Sequence, residues 1–220
     1  MRKGIFITIE GPDGAGKTSI LKDSARILSG EGFHFETTRE PGGIDIAEQI
    51  REIILSPKNT AMDARTEALL YAASRRQHLA EKVIPYLEKG TNVLCDRFVD
   101  SSLAYQGCGR GIGIDQVFQM NQFAIQDTMP ELTLFLMLEP EIGLERISRN
   151  RAPSEVNRLD MEELDFHKEV HRAYCEIAKK YPGRIKVIDA SKSYEEVLEK
   201  TVNTIREYLL EKFNTNESVK

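Results

Sequence analysis

The sequence predicts an α/β fold in which helices cover both faces of a parallel β-sheet. Short runs of apolar and β-branched residues alternate with longer segments of helical periodicity, and this alternation is typical of parallel sheets. The chain has 220 residues, of which 40% are hydrophobic, so it can bury one substantial core, and a single domain is expected. The runs span residues 4–10, 33–38, 92–96, 132–138 and 185–189.

The composition of each run predicts its place in the sheet. Residues 5–9 and 132–138 are nearly continuous in apolar or β-branched side chains, as expected of strands buried on both faces. Residues 33–38 mix polar and apolar positions and are therefore expected nearer an edge. Pro41, Gly42 and Gly43 mark a sharp turn after that strand, and helical spacing resumes beyond them.

A helix predicted over residues 66–79 has two distinct faces. Tyr71, Arg75 and His78 share one face by the i, i+4, i+7 rule, and an aromatic ring one turn from a guanidinium suits a planar, hydrogen-bonding ligand. The alternatives are that Tyr71 lies at the edge of the core, that Arg75 is a solvated charge and that His78 is a satisfied or exposed histidine. For His78 that alternative is preferred. The residues expected to face the core are Leu69, Ala72, Ala73 and Leu79.

A glycine-rich loop directly follows the first predicted strand and fits the pattern G-x-x-x-x-G-K-[ST]. Its glycines let successive backbone N–H groups converge on phosphate oxygens, while the positive end of the next helix dipole faces the same anion. Lys17 can then reach the β- and γ-phosphates, and Thr18 can ligate Mg²⁺. The predicted ATP-binding residues are Gly11, Pro12, Asp13, Gly14, Ala15, Gly16, Lys17 and Thr18.

Polar residues fall at the carboxyl ends of the predicted strands, where ligands bind in such sheets. Glu10, Arg39, Glu40, Asp96, Arg97 and Asp189 are therefore expected to converge on one crevice. Asp96 follows an apolar run, as the magnesium-linked acids of phosphate-loop enzymes do. The alternatives are a solvated Asp96 and an Arg97 that pairs with a carboxylate for structural reasons.

Composition excludes several classes of protein. A net charge of −5 argues against binding to nucleic acid or to a membrane surface, because polyanions are bound by neutralising their phosphates. No stretch approaches the ~18 apolar residues of a membrane span. Cys95, Cys108 and Cys175 lack metal-ligand spacing, so reduced thiols and a cytoplasmic location are expected.

Several motifs occur in the order found in bacterial thymidylate kinases, and the chain resembles that family over about residues 4–190. The specific ones are Thr-Arg-Glu-Pro-Gly-Gly at 38–43 and Asp-Arg-Phe with Ser-Ser-Leu-Ala-Tyr-Gln-Gly within 96–107, supported by Asn-Arg-Leu-Asp at 157–160. The resemblance implies Mg²⁺- and ATP-dependent phosphorylation of dTMP to dTDP by a homodimer. It also implies a three-layer sandwich with a five-stranded parallel sheet and a short lid. Tyr71 and Phe98 depart mildly from the family pattern.

The same resemblance implies roles for individual residues. Tyr71 would stack on the thymine ring, Arg75 would donate to O4, and Gln106 would serve N3. Tyr105 would pack against the sugar and favour deoxyribose. Arg39, Arg51 and Arg97 would hold the monophosphate, and the acceptor site would also include Glu40, Ser74 and Ser102. Asp13 and Glu40 would order groups between the two nucleotides. Ser191 would border the adenine, and Thr18 and Asp96 would hold the metal.

The segment of about residues 146–160 resembles the family's lid. Its arginines at 149, 151 and 158 are candidate catalytic cations beside Lys17, Asp13 and Arg97, because the acidic Asp13 stands where a loop arginine could otherwise act. A solvated helix face with an exposed loop would also account for two of the three arginines.

One domain is expected over residues 1–213 and a flexible tail over residues 214–220. The alternatives are a kinase for another small acceptor and a GTPase switch, although no Asn-Lys-x-Asp stretch is present to read guanine.

Overall fold

The computed structural model describes residues 3–150 and 158–217. A five-stranded sheet in which every adjacent pair is parallel forms its centre, with strand order β2-β3-β1-β4-β5. The predicted fold class is thereby confirmed. The strands are β1 (Phe6–Glu10), β2 (Phe35–Arg39), β3 (Asn92–Asp96), β4 (Leu132–Met137) and β5 (Ile185–Asp189).

Helices connect the strands and cover both faces of the sheet. Leu79–Val83 and Leu103–Gly109 have π-helical hydrogen bonding, and Arg158–Met161 forms a 3₁₀ turn. The α-helices are α1 (Lys17–Gly30), α2 (Asp45–Leu55), α3 (Ala64–His78), α4 (Ile84–Glu88), α5 (Val99–Ser102), α6 (Ile114–Ile125), α7 (Pro140–Asn150), α8 (Leu164–Lys180) and α9 (Tyr194–Glu217). No helix in the described part of the chain is long and apolar enough to cross a membrane.

The sheet separates two apolar cores because successive strand residues point to opposite faces. Phe6 and Phe135 lie on the face covered by α3, α6 and α8, whereas Ile7 and Leu134 lie on the face covered by α1 and α9. All five residues of β1 are buried, while β2 at the edge is largely half-exposed. Both strand environments agree with those that the sequence predicts.

Helix α3 turns a different face to the core from the one expected. Ala72 and Leu79 are buried as predicted, but Leu69 is 57% exposed and Ala73 is also exposed. The inward face of α3 instead carries a polar set, which forms the hydrogen-bond network described below. The prediction for Leu69 and Ala73 is therefore wrong, because apolar spacing alone cannot reveal that a helix buries charged side chains against partners.

The last helix extends into the region expected to be a flexible tail. Helix α9 continues to Glu217 and so includes the backbone of residues 214–217. Residues 151–157, the middle of the expected lid, lie outside the described residues.

Candidate active site

The phosphate-binding loop turns tightly between β1 and α1. Gly14 has a φ of +80°, and a Cβ atom there would collide with the carbonyl of Gly143 at the start of α7. Gly16 also has a φ of +80° and immediately precedes α1, which begins at Lys17. These backbone conformations favour glycine, and they leave the loop's N–H groups and the helix N-terminus available to an anion.

Lys17 is buried at the base of this loop. Its Nζ donates to the carbonyl of Pro12 at 2.8 Å and lies 4.0 Å from Asp13 Oδ1. Burial, followed by the charge of Arg97, lowers the pKa of Lys17 to about 8, although Asp13 and Asp96 oppose that shift. The amine is thus held where a phosphate oxygen would restore the charge that burial disfavours.

Asp96 meets Thr18 across the end of the sheet. Thr18 Oγ1 donates to Asp96 Oδ2 at 2.7 Å, whereas the buried Asp96 Oδ1 has no hydrogen-bond partner within the described residues. A buried carboxylate oxygen without a donor fits a nearby cation, and Mg²⁺ commonly takes one or two protein ligands plus waters and phosphate oxygens. The residues present therefore fit a magnesium ion. The described residues contain no cluster of three or more His, Cys, Asp or Glu side chains that could hold a metal ion.

A cavity of about 520 Å³ opens on one side of the loop. It is lined by the loop, by Arg146 and Ile147 of α7, and by Ala190, Lys192 and Tyr194 after β5. Arg146 Nη1 donates to the carbonyl of Ala190 at 3.2 Å, so α7 and the segment after β5 are tied together at the cavity wall. Its lining thus runs from the phosphate loop to Tyr194 and Val197 of α9.

The predicted donor-site residue Ser191 lies at the margin of this cavity. Its N–H and hydroxyl both bond to Asp189 Oδ1, at 3.0 and 2.6 Å. Its neighbours on either side line the cavity, and the sequence reasoning missed them together with Arg146. The polarity of the segment after the last strand indicated the region but not which side chains turn inward.

A smaller cavity of about 180 Å³ opens on the other side of the loop. It brings together three arginines, two tyrosines and a glutamine that the sequence assigns to the acceptor. Asp13, Lys17 and Thr18 line both cavities, so the two spaces meet at the phosphate loop. The predicted residues in this second cavity are Arg39, Glu40, Arg51, Tyr71, Asp96, Arg97, Tyr105 and Gln106.

Arg97 lines the small cavity and contacts the phosphate loop. Its Nη2 donates to Asp13 Oδ1 at 2.7 Å, and its Nη1 donates to the carbonyl of Gly11 at 3.0 Å. The guanidinium also lies over the ring of Tyr105, 5.1 Å from its centroid. Burial disfavours the charge of Arg97, but Asp13 and the neighbouring hydroxyls outweigh it and raise the pKa. Asp13 thus compensates the charge of this buried cation, and Arg97 pairs with a carboxylate as one of the alternatives from the sequence holds.

The two tyrosines of the small cavity are held in their neutral form. Burial is the main reason that the pKa of both Tyr71 and Tyr105 is raised, and Glu67 adds to the effect at Tyr71. Tyr105 OH donates to Asp13 Oδ2 at 3.1 Å. Gln106 Nε2 donates to Glu67 Oε1 at 2.8 Å, which fixes the amide orientation. Neutral phenols and a fixed amide suit an uncharged base and sugar.

Arg75 is buried behind the small cavity and does not line it. Its Nε donates to Glu40 Oε2 at 2.7 Å, its Nη1 donates to Ser102 and Asn121, and its Nη2 donates to the carbonyl of Phe98. All three guanidinium nitrogens are thus engaged by protein acceptors. The base-recognition role of Arg75 stays a prediction, and the structure adds a second role as the partner of the buried Glu40.

Three further residues complete the description of this region. His78 is fully buried and bonds to Glu40 through Nδ1 at 2.9 Å, which agrees with the preferred reading of a satisfied histidine. Ser74 is buried, and its hydroxyl has no hydrogen-bond partner in the part of the chain described. Ser102 faces Arg75 and not the cavity. Neither Ser74 nor Ser102 therefore lines the small cavity, and their place in an acceptor site stays a prediction.

Two acceptor-side arginines are held by residues around the turn after β2. Arg39 Nη2 donates to both carboxylate oxygens of Glu48, at 2.7 and 2.8 Å. Arg51 Nη1 donates to the carbonyl of Pro41 at 2.9 Å. Burial, with the charge of Arg39 second, lowers the pKa of Arg51. Clustered like charges of this kind favour an anion between them.

The three arginines of the expected lid are found in different surroundings. Arg149 is exposed and pairs with Glu145 one turn earlier at 2.5 Å. Arg151 lies outside the described residues. Arg158 is buried: its Nη2 donates to Glu67 Oε2 at 2.5 Å and its Nε donates to the carbonyl of Ile54 at 3.0 Å. Through Glu67, Arg158 is linked to Gln106 and so to the acceptor side.

Two strand-end residues, Glu10 and Asp189, line neither cavity and so lie outside the crevice where the sequence placed them. Glu10 is completely buried and lines neither cavity, because its carboxylate faces the loop that carries Arg97. Sequence reasoning also missed Glu67 and Asn121, which hold Gln106 and Arg75. Buried acids and amides inside helices leave no periodic signal that separates them from solvated ones.

A triphosphate loop that opens into a large cavity on one side and an arginine-lined cavity on the other defines a phosphate-loop kinase of small acceptors. The comparisons with known proteins identify which one. The thymidylate kinase family model matches residues 9–201. The chain therefore belongs to the thymidylate kinase family.

Individual relatives agree with that assignment. The chain is 60% identical over 199 residues to the thymidylate kinase of Clostridium novyi, covering 90% of this chain and 97% of the relative. It is 59% identical over 206 residues to that of Bacillus velezensis, covering 94% and 97%. The crystal structure of thymidylate kinase from Ehrlichia chaffeensis superposes with a TM-score of 0.74 at 30% identity, covering 92% of this chain and 99% of that one.

Proposed function

We infer that the chain transfers the γ-phosphoryl group of ATP to the phosphate of dTMP, giving dTDP and ADP. The observation that carries this inference is that the two cavities share Asp13, Lys17 and Thr18. A triphosphate in the large cavity and a monophosphate in the small one would therefore meet at one loop. Such alignment supplies much of the acceleration of phosphoryl transfer.

The chain's own residues would act on the reacting groups in two ways. An oxygen of the acceptor phosphate attacks the γ-phosphorus, and the bond to the β,γ-bridging oxygen breaks. Lys17 and the loop N–H groups would stabilise the charge that develops on the transferring group. Thr18 and Asp96 would hold Mg²⁺, which when bound neutralises charge on the β- and γ-phosphate oxygens.

The acceptor would occupy the small cavity with its phosphate among the arginines. Arg39, Arg51 and Arg97 all line this cavity, and we assign the monophosphate to them. Tyr71 would stack on thymine, and Tyr105, hydrogen-bonded to Asp13, would pack against the sugar. These assignments are supported by the cavity lining and by the family's pattern at the same positions.

We further propose that the protein is a homodimer and that α2, α3 and α6 form the interface. These helices pack side by side, and each exposes large apolar side chains: Ile53 on α2, Leu69 on α3 and Phe123, 90% exposed, on α6. An apolar patch of this kind marks an interaction surface. In such a dimer, a second copy of the chain would cover Leu69 and Ala73, which are exposed in the single chain.

Sedimentation velocity tests the dimer. Phe123→Glu or Leu69→Glu is expected to give a monomer at concentrations where the parent is dimeric, because a charge would be buried in the interface. Val187→Glu is the matched control, since Val187 is 47% exposed on the far edge strand β5. A dimer that survives both interface variants contradicts the proposed interface.

The three free cysteines suit a reducing compartment, which supports the proposal that the protein works in the cytoplasm.

A product assay tests the reaction. The purified chain with ATP, Mg²⁺ and a panel of monophosphates is expected to form dTDP and ADP in equal amounts, with dTMP preferred over AMP, GMP and CMP. Lys17→Ala, which removes the loop amine, is the matched inactive control. Faster phosphorylation of a purine monophosphate would contradict the acceptor assignment.

A further inference from the structure

The buried carboxylate of Glu10 lies beneath the loop that carries Arg97. Its Oε1 accepts the N–H of Phe98 at 2.7 Å and the N–H of Ser101 at 3.3 Å. Its Oε2 accepts the hydroxyls of Ser101 at 2.6 Å and of Tyr174 at 2.9 Å. Glu10 is the last residue of β1, so these bonds tie the strand that leads into the phosphate loop to β3's following turn and to α8.

These bonds surround a strained backbone position. Arg97 has a φ of +68°, a left-handed conformation that non-glycine residues rarely adopt. Such conformations persist only where the surrounding structure holds them. Glu10 accepts the N–H groups of Phe98, the very next residue, and of Ser101 within the next turn. The carboxylate therefore fixes the backbone on the carboxyl side of Arg97, which aims the guanidinium at the phosphate loop.

The same cluster also orients the Arg97 side chain. Arg97 Nη1 donates to Ser101 Oγ at 3.1 Å and to Tyr174 OH at 3.3 Å. A carboxylate is an acceptor only, so both hydroxyl hydrogens are drawn to Glu10 and both oxygens are left to accept from Arg97. An amide at position 10 would donate to these hydroxyls instead, which would turn their hydrogens toward the guanidinium.

Burial and the neighbouring charges act on the Glu10 carboxylate in opposite directions. Burial, with Asp100 second, raises the pKa of Glu10, while the Ser101 hydroxyl and Arg97 oppose that shift. Asp100 itself is paired with Arg184 at 2.6 and 2.8 Å on the other side of the turn. The hydrogen bonds of the cluster and the nearby cation thus oppose the desolvation of Glu10 without cancelling it, and the net shift of its pKa is upward.

We propose that Glu10 is a positioning residue for the acceptor phosphate, acting through Arg97, with Ser101 and Tyr174 as its intermediates. This inference rests on the proposed role of Arg97 in holding the dTMP phosphate. Glu10 itself touches no substrate in this arrangement, because it lines neither cavity. It links the donor loop and the acceptor arginine through one buried carboxylate.

A double-mutant cycle on the KM for dTMP tests the proposal. Glu10→Gln keeps the shape but removes the charge, and we expect the KM for dTMP to rise about ten- to a hundredfold, the range for hydrogen bonds to charged groups. ATP affinity, measured by direct titration without dTMP, is expected to stay within about threefold. In an Arg97→Ala background, Glu10→Gln is expected to change the KM for dTMP by less than about twofold, since residues that act as a unit are not additive.

Each outcome of the cycle is decisive. Coupled effects support the proposal. Full additivity of Glu10→Gln on Arg97→Ala would show that Glu10 does not act through Arg97 and would overturn it. An unchanged KM for dTMP in Arg97→Ala alone would overturn the proposed phosphate role of Arg97, and this inference with it.

A second variant keeps the test valid if Glu10→Gln does not fold. Tyr174→Phe removes one hydroxyl from the cluster and keeps the ring that stacks on Phe135 at 5.1 Å. It is expected to raise the KM for dTMP several-fold in the parent and not in Arg97→Ala. Tyr181→Phe, just after the end of the same helix, is the matched control and is expected to leave both the KM for dTMP and the affinity for ATP unchanged. Equal KM values for Tyr174→Phe and the parent would contradict the hydroxyl's part in the cluster.

Discussion

Replacing Arg75 by alanine should lower the stability of the protein far more than replacing a surface arginine does. The guanidinium is 2% exposed, and the substitution would strip the buried Glu40 of its arginine partner and leave Ser102, Asn121 and Phe98 without their shared donor. Removing one member of a buried ion pair costs about 3–5 kcal/mol. For a domain of this size each kcal/mol lowers Tm by about 2–4 °C, so Tm should fall by about 6–20 °C.

Urea denaturation followed by circular dichroism, together with a thermal melt, measures this loss. Arg39→Ala is the matched control, because Arg39 pairs with Glu48 in an exposed position, 51% and 36% accessible, where ion pairs contribute about 0–1 kcal/mol. Arg75→Lys should be intermediate, since one ammonium cannot reach every acceptor of the guanidinium. A free energy of unfolding for Arg75→Ala within 1 kcal/mol of the parent would refute the buried network.

Four further predictions concern the reaction. Lys17→Ala should leave Tm nearly unchanged and lower kcat by about 10² or more, the loss typical of one oxyanion donor, and equal turnover by a folded variant would contradict the donor site. Burial lowers the pKa of Lys17 to about 8, so a triphosphate that restores its charge should bind with proton uptake above that pH and should bind more weakly as pH rises. Titration calorimetry in two buffers at about pH 8.5 measures the proton uptake. The Lys17→Met variant is expected to show none. Discrimination against dUMP should be about 10- to 200-fold in kcat/KM, the value of one methyl group, and equal use of both acceptors would mean that the methyl has no pocket. Arg158→Ala should lower stability because Glu67 loses a buried partner, whereas Arg149→Ala or Arg151→Ala should lower kcat at unchanged Tm. Arginines in other phosphoryl-transfer enzymes contribute ~10³–10⁵ to the rate. If kcat of both variants stays within about threefold of the parent value, well below that range, the lid is not the source of the catalytic cation.

The sheet could be predicted from the sequence because parallel strands buried on both faces need continuous apolar runs. All five observed strands fall within two residues of the predicted runs. The phosphate loop could be predicted for a similar reason, since its glycines at positions 14 and 16 adopt backbone angles that other residues avoid. Local chemistry determines both features, so local sequence reveals them.

The buried polar groups could not be predicted in the same way. Arg75 and Glu40 are adjacent in space but lie 35 positions apart in the chain, and neither has a neighbour that marks it as buried. The spacing on α3 was compatible with Leu69 inside and Arg75 outside, and the structure shows the reverse. Partners from β2, α5 and α6 decide the orientation of this helix, and no local pattern encodes them.

Steady-state kinetics with both substrates varied tests the central claim most directly. The claim is that donor and acceptor occupy adjoining cavities at once and that the phosphoryl group passes between them at Asp13, Lys17 and Thr18. Double-reciprocal plots of initial velocity against ATP at several dTMP concentrations should then give intersecting lines, and labelled ADP should not exchange into ATP without a thymidine nucleotide. Parallel lines with such exchange would show a phosphorylated protein intermediate and would contradict direct transfer.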